Sequence, residues 1–246
     1  MTPASTSFNH SASSHPVYVI DGEVPADLYL PESGSGPGVV LFQEIFGVTD
    51  YIRSRAQDLA DLGDVVLVPH LYWRIGDEVV SEAEDGLPHA MELLGRLDWD
   101  AAVGDGAAAL DALQDHPAVD GPVGVLGFCL GGGLAFNVAA VTGAEQAGPD
   151  ALVSYYGSAL PNLLGIASQV SAPSLHHFGL SDDYIPADTV REIEAALSAD
   201  KADLTFLTYP GAGHAFDNPS PVFHHQGASQ EAWAATTAWL AEKLPV

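Results

Sequence analysis

The sequence predicts an α/β fold, a single domain with a mostly parallel central sheet flanked by helices. Short apolar runs typical of buried strands alternate along the chain with longer segments of helical periodicity, which favours a parallel, doubly wound sheet. The chain has 246 residues, of which 47% are hydrophobic. That length and content are sufficient for one large core without disulfide bonds. We see no internal repeat and no linker between domains.

The first elements follow from local patterns near the start of the chain. Residues 1–15 are polar and are expected to form a flexible leader, so the domain is predicted to span residues 16–246. Two short β-prone segments, 17–20 and 26–30, predict a hairpin at the edge of the sheet. A loop rich in Gly and Ser follows at 31–37 and separates this hairpin from the parallel strands.

The remaining elements follow in order from apolar runs and helical spacing. Continuous apolar runs at 38–42 and 64–68 predict buried parallel strands, and residues 51–62 between them carry apolar side chains on one helical face. Later strands are predicted at 123–127, 151–156, 174–178 and 204–209, and later helices at 88–97, 99–114, 134–140, 187–198 and 229–244. We expect the helix at 88–97 to lie over the functional site.

The charge of the chain excludes several kinds of partner. Thirty-three acidic residues face seven basic ones, for a formal net charge of −26. Such a surface repels nucleic acid and anionic membranes, so we expect neither as a partner. The scarcity of basic residues also suggests adaptation to a salt-rich cytoplasm, where charges are strongly screened.

Cysteine content and hydropathy indicate the compartment. No apolar run reaches the ~18 residues needed to cross a bilayer, and the first residues lack the basic and apolar regions of a signal peptide. Cysteine occurs once, so no disulfide bond can form within the chain, which is compatible with a reducing environment. We therefore expect a cytoplasmic protein, either a monomer or a homodimer, that acts on a small molecule.

The single cysteine, Cys129, stands in the most informative motif. It is the central residue of Gly-Phe-Cys-Leu-Gly at 127–131, after a β-prone run and before a helix-like one. This is the strand–turn–helix context of the nucleophile elbow in the α/β-hydrolase fold, with a thiol where serine usually stands. The glycines permit strand and helix to approach closely, and the helix N-terminus favours the thiolate. The alternative is a small cysteine buried in the core.

Two further residues complete the chain order nucleophile, acid, histidine, and each follows a predicted strand. His214 lies in a Gly-rich loop, where an imidazole can take and return a proton near neutral pH. Asp182 can accept the other ring N–H of that histidine and fix its orientation. Asp183 is the alternative candidate for the acid. Each of these loop residues could instead have no catalytic role.

Glu44 directly follows the strand at 38–42, at a strand end that normally supplies one N–H of the oxyanion hole. The N–H groups of Ile45 and Leu130 are therefore expected to form that hole. A glutamate beside the thiol would disfavour the thiolate, and could take its proton once substrate arrives. Considered without any family, Glu44 is more simply a surface loop acid.

Arg74 also follows a strand and is one of five arginines in this acidic chain. We expect it either to hold a substrate carboxylate at the mouth of the pocket or to pair with surface acids. The aromatic residues Tyr72, Trp73 and Phe128 are expected to line the pocket or to belong to the core. The histidine pairs at 176–177 and 224–225 have no further ligand at suitable spacing, so neither a metal nor a cofactor is expected.

Together these segments resemble the dienelactone hydrolase family (carboxymethylenebutenolidases). The matching segments, in family order, are 43–47, 69–74, 127–132, 155–157, 182–186 and 211–214. The resemblance implies an α/β-hydrolase domain over residues 16–246 with a Cys129–His214–Asp182 triad. It also implies that Glu44 is the acid that activates the thiol and that Arg74 binds a carboxylate.

The chain departs from the family pattern just after its histidine. Family members that cleave dienelactone have Ser and Arg there, which assist carboxylate binding and the resting position of the glutamate. Here Ala215 stands at the Ser position and Asn218 stands near the Arg position. The loss of one cationic group allows for a different substrate.

The sequence as a whole predicts a hydrolase that cleaves a small lactone or ester of the dienelactone type. The expected route uses a cysteine nucleophile and an acyl-thioester intermediate, and it yields an acid. One alternative is a general esterase or thioesterase for small esters. Another is a non-catalytic hydrolase-fold protein that binds a ligand or senses thiol oxidation, although no second cysteine is present to resolve an oxidised thiol.

Overall fold

One eight-stranded sheet runs through the protein in a computed structural model, which describes residues 17–199 and 203–245. The predicted leader at 1–15 lies outside the described residues. The strands are β1 (Val17–Ile20), β2 (Val24–Tyr29), β3 (Gly36–Phe42), β4 (Val65–Pro69), β5 (Val119–Phe128), β6 (Ala151–Tyr155), β7 (Ser174–Gly179) and β8 (Leu204–Tyr209). Each predicted strand is therefore present, with shifts of a few residues at the ends.

Helices connect the strands and cover both faces of the sheet. They are α1 (Asp50–Leu62), α2 (Leu87–Arg96), α3 (Trp99–Gln114), α4 (Leu130–Ala144), α5 (Leu160–Leu163), α6 (Ala187–Ser198) and α7 (Gln226–Lys243), with 3₁₀ turns at Trp73–Ile75, Glu84–Gly86 and Leu164–Gln169. Helix α4 begins four residues before the predicted helix, because it starts directly after Cys129. None of the described helices has both the length and the apolar character needed to cross a membrane.

The strands lie in the order β1–β2–β4–β3–β5–β6–β7–β8. The hairpin β1–β2 is antiparallel and β2 pairs antiparallel with β4, whereas all the pairs from β4 to β8 are parallel. This arrangement confirms the predicted fold class. It also places the carboxyl ends of the parallel strands along one edge of the sheet, where ligands bind in folds of this type.

Alternate residues of each parallel strand feed two separate cores. In β3, Val39 and Leu41 pack into the core under α1, α2 and α7, whereas Val40 and Phe42 pack into the core under α3, α4 and α6. Burial of both faces explains why these strands are continuous apolar runs rather than alternating ones. The doubly covered sheet is a rigid base for the loops that follow each strand.

Candidate active site

Cys129 lies on a sharp turn between β5 and α4. Its φ is 52° and its ψ is −111°, a conformation that non-glycine residues seldom adopt. Main-chain hydrogen bonds hold it there: the N–H of Cys129 donates to the carbonyl of Tyr155 (3.0 Å), and its own carbonyl accepts from the N–H groups of Gly132 (3.1 Å), Gly133 (3.2 Å) and Ser158 (3.1 Å). The residue is 7% exposed, but its side chain lines a cavity instead of being sealed in the core.

The glycines on either side of the cysteine are required by close backbone packing. A Cβ at Gly127 would overlap the carbonyl oxygen of Gly131, and a Cβ at Gly131 would overlap the carbonyl oxygen of Phe42. The N–H of Gly131 also donates to the carbonyl of Gln43 (3.0 Å). This hydrogen bond holds the turn at Cys129 against the end of β3. Cys129 therefore lies next to the loop that carries Glu44.

His214, from the loop after β8, joins the sulfur to a carboxylate. Its Nε2 lies 3.1 Å from Sγ of Cys129, and its Nδ1 lies 2.7 Å from Oδ2 of Asp182. The other carboxylate oxygen, Oδ1, accepts from the N–H groups of Tyr184 (2.7 Å) and Ile185 (3.0 Å). The structure thus brings together the three residues that chain order suggested. Both carboxylate oxygens of Asp182 are held by hydrogen bonds.

The electrostatics of this group favour a proton on the imidazole. Burial disfavours the imidazolium of His214, but the charges and hydrogen bonds of Cys129 and Asp182 outweigh burial and raise its pKa well above 6.5. Asp182 is buried, whereas the rival Asp183 is exposed. An imidazole held in this way can exchange a proton with a thiol or with a water molecule.

Glu44 is 1% exposed and is therefore not the surface acid that a single sequence suggests. It accepts hydrogen bonds from the hydroxyl of Tyr156 (3.2 Å) and from Nδ2 of Asn218 (2.7 Å). Burial raises its pKa to about 7, the hydrogen bond from Asn218 lowers it, and the charge of Glu82 raises it again. Among the described hydrogen bonds of Glu44, none reaches the sulfur of Cys129.

The two residues expected to supply oxyanion-hole N–H groups follow β5 and β3. Leu130 is the first residue of α4, where N–H groups have no partner within the helix. Ile45 lines the cavity at the end of β3, and the hydroxyl of Tyr72 donates to its carbonyl (2.9 Å), which holds the peptide that follows it. The pair has the composition of an oxyanion hole.

The cavity in front of Cys129 and His214 has a volume of about 560 Å³, including the space at its mouth. Helix α2 covers one side, as predicted, with three side chains at helical spacing. The apolar wall is formed by Ile45, Phe46, Leu87, Met91, Leu94 and Phe223. No arginine or lysine of the described chain lines it. The cavity therefore suits an uncharged, largely apolar molecule.

Arg74 does not line this cavity. Its guanidinium forms two hydrogen bonds with Asp105 of α3, one of 2.8 Å, and stacks 4.2 Å from the ring of Trp73. Trp73 donates from Nε1 to the same carboxylate (3.0 Å). Of the two expectations for Arg74, pairing with an acid is the one found. The reason is that α3 presents a mostly buried carboxylate directly beside it.

The other two predicted pocket aromatics also lie outside the lining. Phe128 is fully buried, with its ring 4.6 Å from that of Tyr155, and belongs to the core. Tyr72 is 1% exposed and acts on the cavity only through its hydrogen bond to Ile45. Their contribution is to the support of the site and not to its surface.

One histidine of each adjacent pair has hydrogen-bond partners that account for it. His177 is buried between the hydroxyls of Tyr209 (2.8 Å) and Thr236 (2.9 Å), and burial lowers its pKa to about 3. Nδ1 of His225 accepts from the N–H of Ala228 (3.2 Å) and caps the start of α7. Both rings serve the fold.

Sequence reasoning missed several residues of the site. Tyr156 follows β6, so the rule that located the other residues at strand ends could have found it. The stripe Leu87, Met91 and Leu94 is visible as helical spacing, but the sequence does not show what it faces. The contact of Glu82 with Asn218 joins residues 136 positions apart, and no local pattern marks it.

Comparisons with known proteins find relatives that match most of the chain. A family model for the dienelactone hydrolase family matches residues 24–244. The chain is 35% identical to a carboxymethylenebutenolidase of Pseudomonas sp. over 229 residues, which is 92% of each protein. It is 33% identical to carboxymethylenebutenolidase 1 of Cupriavidus pinatubonensis, over 89% of this chain and 92% of that protein. It is also similar to the crystal structure of a dienelactone hydrolase-like promiscuous phosphotriesterase from metagenomic libraries, with a TM-score of 0.74 and 30% identity over 90% of this chain and 93% of the other.

Proposed function

The chain belongs to the dienelactone hydrolase family, and we propose that it hydrolyses small neutral esters or lactones with Cys129 as the nucleophile. The observation that carries the proposal is the contact of Cys129 with His214 (3.1 Å) at the end of an apolar cavity. A thiol within reach of an imidazole that a carboxylate orients is the arrangement used for acyl transfer on several unrelated folds.

Glu44 is proposed as the group that takes the thiol proton. In the structure its carboxylate is held by Tyr156 and Asn218, so it must rotate towards the sulfur when substrate enters. A carboxyl whose pKa is about 7 binds a proton far more readily than an ordinary glutamate does. Transfer of the proton from Cys129 to Glu44 keeps a single negative charge in the site, whereas loss of the thiol proton to solvent beside an ionised Glu44 would create two.

The thiolate then attacks the carbonyl carbon of the substrate, and the carbonyl oxygen becomes an anion. The N–H groups of Leu130 and Ile45 are proposed to hold this oxyanion, and the loss of one such donor typically costs ~3 kcal/mol of the barrier. Collapse of the tetrahedral species breaks the ester bond. Glu44 gives its proton to the leaving alkoxide, so that the alcohol departs or the lactone ring opens to a hydroxyl group, and an acyl-thioester remains on Cys129.

Water completes the cycle. Once Cys129 is acylated, the sulfur charge that favours the imidazolium is gone, so neutral His214, oriented by Asp182, takes a proton from water as the oxygen attacks the thioester and passes it to the departing sulfur. The carbon–sulfur bond breaks, and the acid leaves while the thiol regains a proton. A thiol nucleophile in a chain with no second cysteine suits a reducing compartment, so we place this activity in the cytoplasm.

The wall of the cavity favours neutral over anionic substrates. The one predicted carboxylate-binding residue, Arg74, is engaged by Asp105 outside the cavity, and Asn218 bonds to Glu44. A substrate carboxylate would therefore meet a mostly apolar wall in which the described residues offer no arginine or lysine to pair with, which costs several kcal/mol. A general esterase activity on small esters fits these walls better than strict action on dienelactone.

A panel of substrates tests the proposal. We expect turnover of p-nitrophenyl acetate and of simple lactones, with a lower kcat/KM for dienelactone, which carries a carboxylate. Cys129→Ala should abolish turnover, and trapping with acid should show a substrate acyl group on the wild-type chain. Wild-type turnover that survives in Cys129→Ala would refute the nucleophile. No ester turnover together with retained ligand binding would instead indicate a non-catalytic binding protein.

A further inference from the structure

A short segment between β4 and α2 passes over the buried Glu44. We call residues 77–86 the strap. The N–H of Val80 donates to the carbonyl of Phe46 (2.9 Å), and the carbonyl of Glu82 accepts from the hydroxyl of Ser220 (2.8 Å). The strap leads directly into α2, whose side chains cover the cavity. It therefore joins the loop that carries Glu44 to the cover of the cavity.

Asn218 connects the strap to Glu44. Its Nδ2 donates to Oε2 of Glu44 (2.7 Å) and also to Oε1 of Glu82 on the strap (3.0 Å). Glu82 receives a second hydrogen bond, from the hydroxyl of Thr49 (2.8 Å), which also caps α1. The amide of Asn218 thus binds two carboxylates, that of Glu44, which is buried, and that of Glu82, which is partly exposed.

We propose that Glu82 is a positioning residue for Glu44: acting through Asn218, it ties the acid that serves Cys129 to the strap and so to the cover of the cavity. This inference rests on the proposed role of Glu44. It differs from a merely structural contact because two carboxylates share a single donor amide, so the charge of one acts on the proton affinity of the other.

The two neighbours of Glu44 act in opposite directions. Asn218 donates to the ionised carboxylate and lowers its proton affinity, whereas the charge of Glu82 raises it. Further groups face Glu44 from the surrounding elements: Tyr51 of α1, Cys129 at the elbow, Tyr156 after β6, and His214 after β8. Asp217 lies behind Tyr51, whose hydroxyl donates to it (2.6 Å). Arg55 forms an ion pair with Asp217 (2.7 Å), so the charge of that acid is largely compensated.

The test compares kcat/KM against pH, with p-nitrophenyl acetate, in the wild type and three variants. Glu82→Gln should shift the acidic limb to lower pH by about one unit, because a negative charge near Glu44 is removed. Asn218→Ala should shift it to higher pH by a similar amount, because the ionised form loses a donor. Glu78→Gln is the matched control, since this exposed strap residue pairs with His89, and its profile should be unchanged.

Opposite shifts in the first two variants support the inference. Unchanged limbs, or shifts in the same direction, overturn it, even if thermal stability falls. Should the wild type lack ester turnover, the proposed function fails, and the pH dependence of unfolding still reports the ionisation of Glu44. In that measurement, Glu82→Gln should move the pH range in which stability declines to lower values, and an unmoved range would overturn the inference.

Discussion

Replacement of Glu44 by glutamine should stabilise the fold in alkaline but not in acidic solution. Burial raises the pKa of Glu44 from 4.5 to about 7. Between these values the folded chain binds more protons than the unfolded chain, so the free energy of unfolding falls as pH rises. At roughly 1.36 kcal/mol per pH unit, the full effect is about 3 kcal/mol. Glutamine carries no charge at any of these pH values, so the variant does not lose this unfolding free energy as pH rises.

The surroundings of Glu44 can accept the amide. Its oxygen can take the hydrogen bond from Asn218, and its NH₂ can donate to the hydroxyl of Tyr156, which is free to rotate. We expect Glu44→Gln to gain about 3 kcal/mol at pH 8 and less than about 1 kcal/mol at pH 5, measured by guanidinium denaturation. In a melting experiment at pH 8 the gain corresponds to about 6–12 °C.

The matched control is again Glu78→Gln, which removes the same charge from a half-exposed position. Its stability should follow that of the wild type at both pH values. Equal stability of Glu44→Gln and wild type at pH 8 would mean that Glu44 is not forced to hold a proton on folding. An equal gain at both pH values would point to altered packing instead of ionisation, and either result would refute the reasoning.

Three further outcomes are expected. Asp182→Asn should lower turnover in a p-nitrophenyl ester assay by about 10⁴-fold, because an amide facing Nδ1 of His214 selects the wrong tautomer. Asp183 is exposed, so Asp183→Asn should stay within about twofold of wild type in the same assay. Met91→Arg places a guanidinium in the lining of a cavity whose described wall has no arginine or lysine, so kcat/KM for a carboxylate-bearing ester should rise about tenfold relative to a neutral one in competition assays. Melting temperature should rise with KCl, because screening weakens the repulsion of a net charge of −26, and a flat or falling curve would count against a salt-rich habitat.

The fold and the residues at strand ends could be predicted because their patterns are local. Buried strands are marked by continuous apolar runs, and the turn at Cys129 is marked by glycines that backbone packing demands. Once the strands are placed, parallel topology brings the residues after them to one edge. Helix α5 and the 3₁₀ turns were missed because three to six residues are too few to establish a period.

Side-chain partners could not be predicted, because they depend on contacts between distant parts of the chain. The position of Arg74 after a strand gives no sign that Asp105, 31 residues later, will bind it. Glu44 has the same limitation, since only the folded chain shows whether a loop acid is covered. Its burial depends on the strap and on Asn218, neither of which is near it in sequence.

An apolar cavity without arginine or lysine favours the departure of an acidic product. Cleavage of a neutral ester produces an anion inside a molecule whose formal charge is −26. No arginine or lysine in the described wall retains this anion, and the summed field of the acids drives it towards solvent. Product release should then be fast, and accumulated acid should compete only weakly with incoming ester.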